Sequence, residues 1–459
     1  MSGGGRVQLT ATGMQDVMLT QNPQMSYFLK NYKRHTKFAM QTTEVPFDQE
    51  PRFGGKVHAT IPRLGDLVKE MYVRITLPEM DQNILTEFDS VQQKSVGIKT
   101  YPTYVDSVGN AVLRRVDLSI GGQVLSSLNG EYMEIYNDTF VPRSHSKAIE
   151  NMVGRTYIKD GAGPASNVVY RTENGFSANG AFPRTFIVPL RFWNSQDVSL
   201  SIPLVALQKQ ELEITIQLED VERLVTSKLF DLKGQLKTNI QLGGKPLEIE
   251  KMSLLVDYIQ LSDEEATYFT NSPMQYTITQ VQGIETTVGK NEDYTTLPKQ
   301  IRPTFSNPVK ELFIITQDDP NRPRSLQTVS TLTNDYFNFK NSVGTDHLKS
   351  LELLFNGEIR IQKEIADGFY LRVVQPLQSH TKVPERFIYN YSFALDPENY
   401  APTGQVNFSR IKDILFNLTL NPPLGKDVNT RIYVKSYNVL VIQDGIAGVL
   451  FNYGSGAGN

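Results

Sequence analysis

The sequence predicts an all-β protein with a few short helices, built as two tandem eight-stranded antiparallel jelly rolls. Three observations carry this expectation. The chain has 459 residues, too many for one ordinary domain and suited to two of roughly 200 residues each. Its 21 Tyr and 23 Phe, with 32 Gly and 24 Pro spread along the chain, favour many short strands joined by turns. A strand–turn–strand–helix series also occurs twice. Val112–Tyr136 runs as strand, Gly121-Gly122 turn, strand and helix; Leu351–Phe369 runs as strand, Asn356-Gly357 turn, strand and a short helix-capable piece. Met71–Leu77 resembles Glu311–Gln317 at an offset of about 240 residues, and Leu212–Leu218 resembles Ile414–Leu420 at about 200. Unequal offsets fit an old duplication whose loops have drifted.

Composition narrows the function classes. A hydrophobic fraction of 39% supports packed cores. There is no cysteine, which excludes disulfides and thiolate metal sites. A net charge of −3 makes no global electrostatic demand for nucleic acid. The opening MSGGGRVQLTATG has no apolar core, so it does not read as a signal peptide, and Ser2 replaces the glycine that myristoylation needs. No apolar run approaches the roughly 18 residues of a spanning helix. The expectation is a soluble chain made in the cytosol, with no cofactor.

Along the chain, residues 1–25 read as a polar N-terminal arm with a Gly3–Gly5 run; Leu9, Met14 and Leu19 are among its few apolar residues. Phe28–Met40 interleaves Lys30, Lys33, Arg34, His35 and Lys37 with aromatic rings, a pattern that reads first as a solvated basic face. Residues 26–220 form the expected first roll. Within it, Lys56–Ile61 and Met71–Leu77 are strands, and Pro78–Pro102 is a long polar connection. Val112–Ile120 and Gln123–Leu128 flank the Gly-Gly turn. Asn129 caps a helix through Thr139. Val141–Pro183 reads as a long irregular loop. Arg184–Leu190 is a strand, Arg191–Val198 a turn holding the single tryptophan Trp193, and Leu212–Leu218 an alternating strand with one buried face.

Residues 221–250, with Gly234, Gly243-Gly244 and Pro246, read as the linker region. Residues 251–459 form the expected second roll. It opens on the strand Met252–Leu261. Ser262 and Glu265 spell a capping box before a helix over Asp263–Thr270. Strands follow at Tyr276–Val281, Lys310–Thr316, Leu351–Phe355 and Glu358–Ile361, with Gln317–Asp346 a long polar loop. Phe387–Leu395 and Ile414–Leu420 are strands around a proline-broken loop, and Arg431–Ile442 closes the roll before a short mobile tail, Gly454–Asn459. Ile414, Phe416, Leu418 and Leu420 share one face, which should point into the core, with Asn417 opposite.

No constellation carries catalysis. Five histidines, His35, His58, His145, His347 and His380, are scattered without metal-ligand spacing. Gly243-Gly244-Lys245-Pro246 is not a phosphate loop, and no G-x-S-x-G occurs. Asp318-Asp319 reads as a solvated acidic turn, and Glu264-Glu265 as carboxylates at a helix start. Sequons at Asn137, Asn390, Asn407 and Asn417 are short enough to be chance matches. Two carboxylates facing each other on one sheet would not be visible in spacing, which leaves a jelly-roll glycosidase open.

Several motifs occur in order: Gly13-x-Gln15-Asp16-x-x-Leu19-Thr20-x-Asn22-Pro23; Tyr32-Lys33-Arg34-His35-Thr36-x-Phe38-Ala39; Ile61-Pro62-Arg63-x-Gly65-Asp66-Leu67; Pro189-Leu190-x-Phe192-Trp193; Leu200-x-x-Pro203-Leu204-x-Ala206-Leu207-Gln208; Asp257-Tyr258-Ile259; Val309-Lys310-Glu311-Leu312; Tyr391-Ser392-Phe393-Ala394-Leu395; Asn407-Phe408-Ser409-Arg410-Ile411. With them, almost end to end, the chain resembles the double jelly-roll major capsid proteins of nucleocytoplasmic large DNA viruses. Pro189, Phe192, Trp193, Pro203, Asn407, Phe408, Ser409 and Arg410 are the structural signature of that resemblance.

The resemblance implies a non-enzymatic homotrimer, a pseudo-hexagonal capsomer that tiles the outer shell of an icosahedral virion assembled in the host cytoplasm. Its implied partners are itself, neighbouring capsomers, and minor capsid and penton proteins. Long loops such as Val141–Pro183, Gln317–Asp346 and Pro78–Pro102 would lie outside. The arm would lie beneath, with Leu9, Met14 and Leu19 as candidate inner contacts toward an internal membrane. Direct genome binding is not expected. The competing readings are a minor capsid or scaffolding relative, separated by copy number in virions, and a carbohydrate-binding or glycoside-cleaving jelly roll, separated by carboxylate-dependent turnover.

Overall fold

The structure is a computed structural model. It describes the chain apart from residues 1–2, 30–31, 79–84, 90–93, 98–102, 156–184, 227–239, 243–246, 290–296, 319–335, 342–343, 422–426 and 452–459. Two compact units form, Met1–Lys37 and Phe38–Asn459. The first holds two short helices, Gly4–Thr10 and Met14–Thr20, where the sequence suggested only a polar arm. The Asp16 carboxylate accepts the Gly13 N–H at 2.8 Å and so closes the first turn of the second helix.

The second unit is two eight-stranded rolls. The first comprises β1 (Phe38–Pro46), β2 (Lys56–Thr60), β3 (Leu67–Thr76), β4 (Leu113–Ile120), β5 (Gln123–Leu128), β6 (Thr185–Pro189), β7 (Leu212–Leu218) and β8 (Lys251–Leu261). Its sheets run β1-β8-β3-β6 and β2-β7-β4-β5, antiparallel throughout. The second comprises β9 (Met274–Val288), β10 (Lys299–Ile301), β11 (Pro308–Asp318), β12 (Leu348–Phe355), β13 (Glu358–Ile361), β14 (Tyr389–Ser392), β15 (Ile414–Leu420) and β16 (Val428–Gln443). Its sheets run β9-β16-β11-β14 and β10-β15-β12-β13. The second roll repeats the strand order of the first, strand for strand. After β16, Ile446–Val449 folds back onto that strand, an addition the sequence did not announce.

The local chemistry explains these elements. At the β4–β5 turn Gly121 and Gly122 have φ of 55° and 79°, and at the β12–β13 turn Asn356 and Gly357 have φ of 50° and 87°. Positive φ at both central positions matches the twist of a tight hairpin. β7 and β15 alternate buried and half-exposed residues along their whole length. Ile414, Phe416, Leu418 and Leu420 all point into the core of the second roll, as expected. Asn417, on the other face, donates Nδ2–H to Glu352 Oε2 at 2.7 Å. β11 and β16 behave differently: they are buried residue after residue. Leu312, Ile314, Ile432 and Val434 fill the second roll, whereas Phe313, Ile315 and Tyr433 join the core that runs on from the first roll. A strand covered on both faces has no polar side to show.

The strand Met252–Leu261 was expected to open the second roll, but it falls in β8, which lies between β1 and β3 in the first. Residues 221–250 are therefore not a linker between rolls but an excursion inside the first one. They carry Val225–Thr226, paired with Thr103–Tyr104, and Ile240–Leu242, paired with Leu85–Asp89. Pro78–Pro102 is accordingly more than a polar connection: Leu85–Asp89 and Lys94–Gly97 pair as strands. Val141–Pro183 includes the helix Arg143–Val153, closed by Gly154 at φ 75°. Ser262 sits at the start of the Asp263–Asn271 helix without a side-chain cap bond, so the capping box does not form. Asp318 is buried at the end of β11 and is not part of a solvated turn. The tail Gly454–Asn459 and most of Gln317–Asp346 lie outside the described residues.

The two faces of β15 make a direct test. Phe416→Ala should lower the unfolding free energy by about 3–5 kcal/mol, the cost of a cavity in a packed core. Asn417→Ala should lower it by no more than about 1.5 kcal/mol, the net value of one hydrogen bond. Urea unfolding monitored by circular dichroism would measure both; equal losses would contradict the assignment of faces.

Candidate functional site

The most chemically distinctive region is the seam between the rolls. The helix Gly130–Thr139 follows β5 and starts at Asn129, whose Oδ1 accepts the Tyr132 N–H at 2.7 Å. It belongs to the first roll by sequence but packs on the outer face of β11 and β16. Tyr132 sits 6.3 Å from Phe313 and 6.0 Å from Tyr433, ring centre to ring centre. Phe140, just past the helix, lies 6.1 Å from Phe313.

Three buried carboxylates on this helix meet cations brought mainly from the second roll. Glu131 pairs with Arg431 Nε at 2.8 Å and accepts the Tyr433 hydroxyl at 3.0 Å. Glu134 accepts Arg386 Nε at 2.9 Å and Asn110 Nδ2 at 2.7 Å. Asp138 meets Lys382 Nζ at 3.3 Å, the Arg386 backbone N–H at 2.8 Å and Arg155 Nη1 at 3.0 Å. Arg386 is the hub. It also donates to Asp106 Oδ2 at 2.7 Å and to the Phe337 carbonyl at 2.8 Å. Burial pushes the Asp138 carboxyl up, but Arg155 and Lys382 beside it hold it below its ordinary value. Burial likewise disfavours the Arg386 charge, and Glu134 and Asp106 more than offset it.

A second cluster sits on β11 and β16. His380 lies between Glu311, 3.3 Å from its Nε2, and Glu398, 3.4 Å from its Nδ1. Burial opposes its charged form, yet the carboxylates of Glu311 and Glu398 raise its pKa above the ordinary 6.5. Lys435 Nζ is 3.6 Å from Glu311 and 3.9 Å from the centre of the Phe140 ring. Burial, with Lys310 adding to it, brings Lys435 down to about 7.

This arrangement neutralises charge; it does not activate a nucleophile. Its carboxylates face cations, and among the described residues no group of three or more His, Asp or Glu could hold a metal ion. The seam is a structural site, where ionic contacts fix one roll against the other.

The structure places the signature residues in three turns, of which those at Pro203 and Asn407 are equivalent. Pro189 ends β6, and Phe192 and Trp193 are buried in the turn that follows. Ile202-Pro203 pairs with β3 and leads into a 3-10 turn, Leu204–Ala206. Val406-Asn407 pairs with β11 and leads into a 3-10 turn, Phe408–Arg410. Asn407 Oδ1 accepts the Ser409 N–H at 3.0 Å, and Ser409 Oγ accepts the Asn307 N–H at 2.8 Å. Phe408 is buried against Phe305, Phe355 and Phe393, while Arg410 is exposed. Of the sequons, Asn137 and Asn390 are buried, and Asn417 is bound to Glu352. Asn407 is exposed, with its side chain engaged in the turn. Leu9, Met14 and Leu19 are exposed in the N-terminal unit. The seam residues escaped the sequence reading. The available signal was the spacing of Glu131, Glu134 and Asp138, which places three acids on one face of the capped helix.

Comparison with known proteins agrees with this architecture. Residues 26–262 match the family described as "Major capsid protein N-terminus", and residues 265–448 match "Large eukaryotic DNA virus major capsid protein". The change between them falls just after β8, where the first roll ends. The major capsid protein of Phaeocystis pouchetii virus is 29% identical, covering 98% of this chain and 99% of its own length. That of Paramecium bursaria Chlorella virus 1 is also 29% identical, over 98% of this chain and 99% of its own. The solved PBCV-1 virus capsid aligns with a TM-score of 0.70 at 25% identity, covering 93% of this chain and all of that chain (100%). The Faustovirus major capsid protein shares the fold, with a TM-score of 0.69 at 13% identity and 94% coverage of both chains.

His380 gives the seam a pH signature. A histidine whose folded pKa is raised contributes stability fully below about 6.5 and loses it as pH rises through the folded value. His380→Gln should therefore cost most near pH 6, roughly 1.5–3 kcal/mol for a charge-assisted contact, and less at pH 9. Melting temperatures of both proteins across that range would show it; a gap that widens with pH would contradict it.

Proposed function

The chain belongs to the major capsid proteins of large eukaryotic DNA viruses, and we propose that three copies associate into a pseudo-hexagonal capsomer that tiles the outer shell of an icosahedral virion. Its role is structural rather than enzymatic. The observation that carries the trimer is the repeated strand order, β1–β8 matched by β9–β16. Three copies of two similar rolls place six similar wedges around a three-fold axis, a block that can pack in a hexagonal array. Each sheet also ends in an edge strand, such as β1 or β13, that a neighbour can cover.

In this reading the partners are other copies, neighbouring capsomers, and minor capsid and penton proteins, with assembly in the host cytoplasm. The loops that interrupt the rolls would face outward. Residues 1–25 would face inward, toward an internal membrane, with Leu9, Met14 and Leu19 available for contact because they are exposed.

Sedimentation tests this reading. The purified chain should run as a trimer, and a chain that stays monomeric at high concentration would overturn the proposal. Deleting Met1–Met25 should leave the trimer and its melting temperature unchanged, because no residue of Gly4–Thr10 or Met14–Thr20 is buried. Shell assembly should be impaired. Unfolding of the truncated chain would contradict this account of the arm.

A further inference from the structure

The internal seam has an unfilled counterpart, and this inference rests on the trimer reading above. Strand register makes the two large sheets equivalent residue by residue. Val68 and Leu67 of β3 pair with Ile202 and Pro203 as Val309 and Pro308 of β11 pair with Val406 and Asn407. Met71 pairs with Val256 as Leu312 pairs with Val434, and each ladder shifts register at the same place. Lys69-Glu70-Met71-Tyr72 therefore stands where Lys310-Glu311-Leu312-Phe313 stands. Ser253 and Leu255 of β8 stand where Arg431 and Tyr433 of β16 stand.

The helix Gly130–Thr139 after β5 and the helical turns Tyr370–Val374 and Gln375–Ser379 after β13 are equivalent too. Asn129 Oδ1 accepts the Tyr132 N–H, and Asp367 Oδ1 accepts the Tyr370 N–H, both at 2.7 Å. The next residue is glycine in each. A Cβ on Gly130 would come within 2.8 Å of the Leu113 carbonyl, and one on Gly368 within 2.3 Å of the Leu348 carbonyl. Leu113 and Leu348 are the first residues of β4 and β12. Phe369-Tyr370 thus corresponds to Glu131-Tyr132.

Inside the subunit, Glu131 and Tyr132 are covered by Arg431, Tyr433 and Phe313. Phe369 has no such cover and is 58% exposed. The sheet face that would receive it, around Tyr72 and Leu255, is half-exposed, whereas the matching Phe313 and Tyr433 are buried. The two exchanges are complementary. Where the helix has lost an acid and gained a phenylalanine, the sheet has lost an arginine and a tyrosine and gained a serine and a leucine. Charges already paired with one another rim the sheet face: Arg74 and Lys251 both lie on Glu44, at 3.8 and 2.7 Å.

We propose that Phe369 and Tyr370 of one copy dock on Tyr72 and Leu255 of a second copy, repeating between subunits the contact that Glu131 and Tyr132 make within one. The contact is head to tail, helix of the second roll onto sheet of the first, and such a contact closes into a ring of three when each copy is turned by a third of a revolution. The occupant is another copy of this chain, because the complementary change sits in the other half of the same sequence.

The test is the concentration at which the trimer half-dissociates, read by sedimentation. Phe369→Glu should raise it by about 100-fold, the effect of losing a central aromatic anchor. Its monomer should still melt like the wild-type monomer, because the side chain is exposed. Phe369→Leu should shift it by less than about 5-fold. Leu255→Arg alone should weaken association, and combining it with Phe369→Glu should recover at least about 10-fold through a new ion pair. A trimer indifferent to Phe369→Glu, or losses that simply add in the double variant, would overturn this contact and leave the trimer standing. A wild-type chain that never trimerises would overturn both.

Discussion

Buried charges paired across the seam set how the two rolls sit against each other. Glu131, Glu134 and Asp138 are each at most 8% exposed. A carboxylate so placed is costly unless cations and donors surround it. The cations come chiefly from the other half of the chain, with Lys382 and Arg386 lying 244 and 252 residues from their partners. The helix can therefore rest in one place only, with Arg386 between Glu134, Asp106 and the Phe337 carbonyl. Buried ion pairs contribute modestly to stability compared with apolar packing, but they penalise wrong arrangements. For a subunit whose rolls must keep a fixed relation in a shell, that penalty is the useful property.

The seam also accounts for how the halves have diverged. Both rolls keep the same strand order, the same hairpins and the same turn before the alternating strands β7 and β15. They differ on their outer sheet faces. The face of β11 and β16 is covered by the Gly130–Thr139 helix, so Phe313, Tyr433 and Lys435 are buried. The matching face of β3 and β8 carries Tyr72, Leu255 and Asp257 half-exposed. One of the two equivalent faces is buried inside the subunit amid ionic pairs, and the other carries Tyr72 and Leu255 at its centre.

Much of the fold was legible in the sequence because its determinants are local. Alternation in β7 and β15, the Gly121-Gly122 and Asn356-Gly357 turns and the Asn129 cap each depend on a few adjacent residues. What was not legible depends on distant partners. β8 is as apolar as a strand of either roll, and nothing in its own residues says that β1 and β3 flank it. Ser262 and Glu265 have the spacing of a capping box, yet the Ser262 side chain makes no cap bond. His380 looked isolated because Glu311 and Glu398 reach it only through the fold. The seam acids could have been suspected from their helical spacing, but their partners could not.

The Gly130–Thr139 helix is locked into the second roll as firmly as that roll's own strands. Native-state hydrogen exchange of its amides measures this: the amides of Tyr132–Tyr136 should exchange only with the global opening that releases the middle of β16. Exchange of the helix amides through a much cheaper local opening, with β16 still protected, would contradict it.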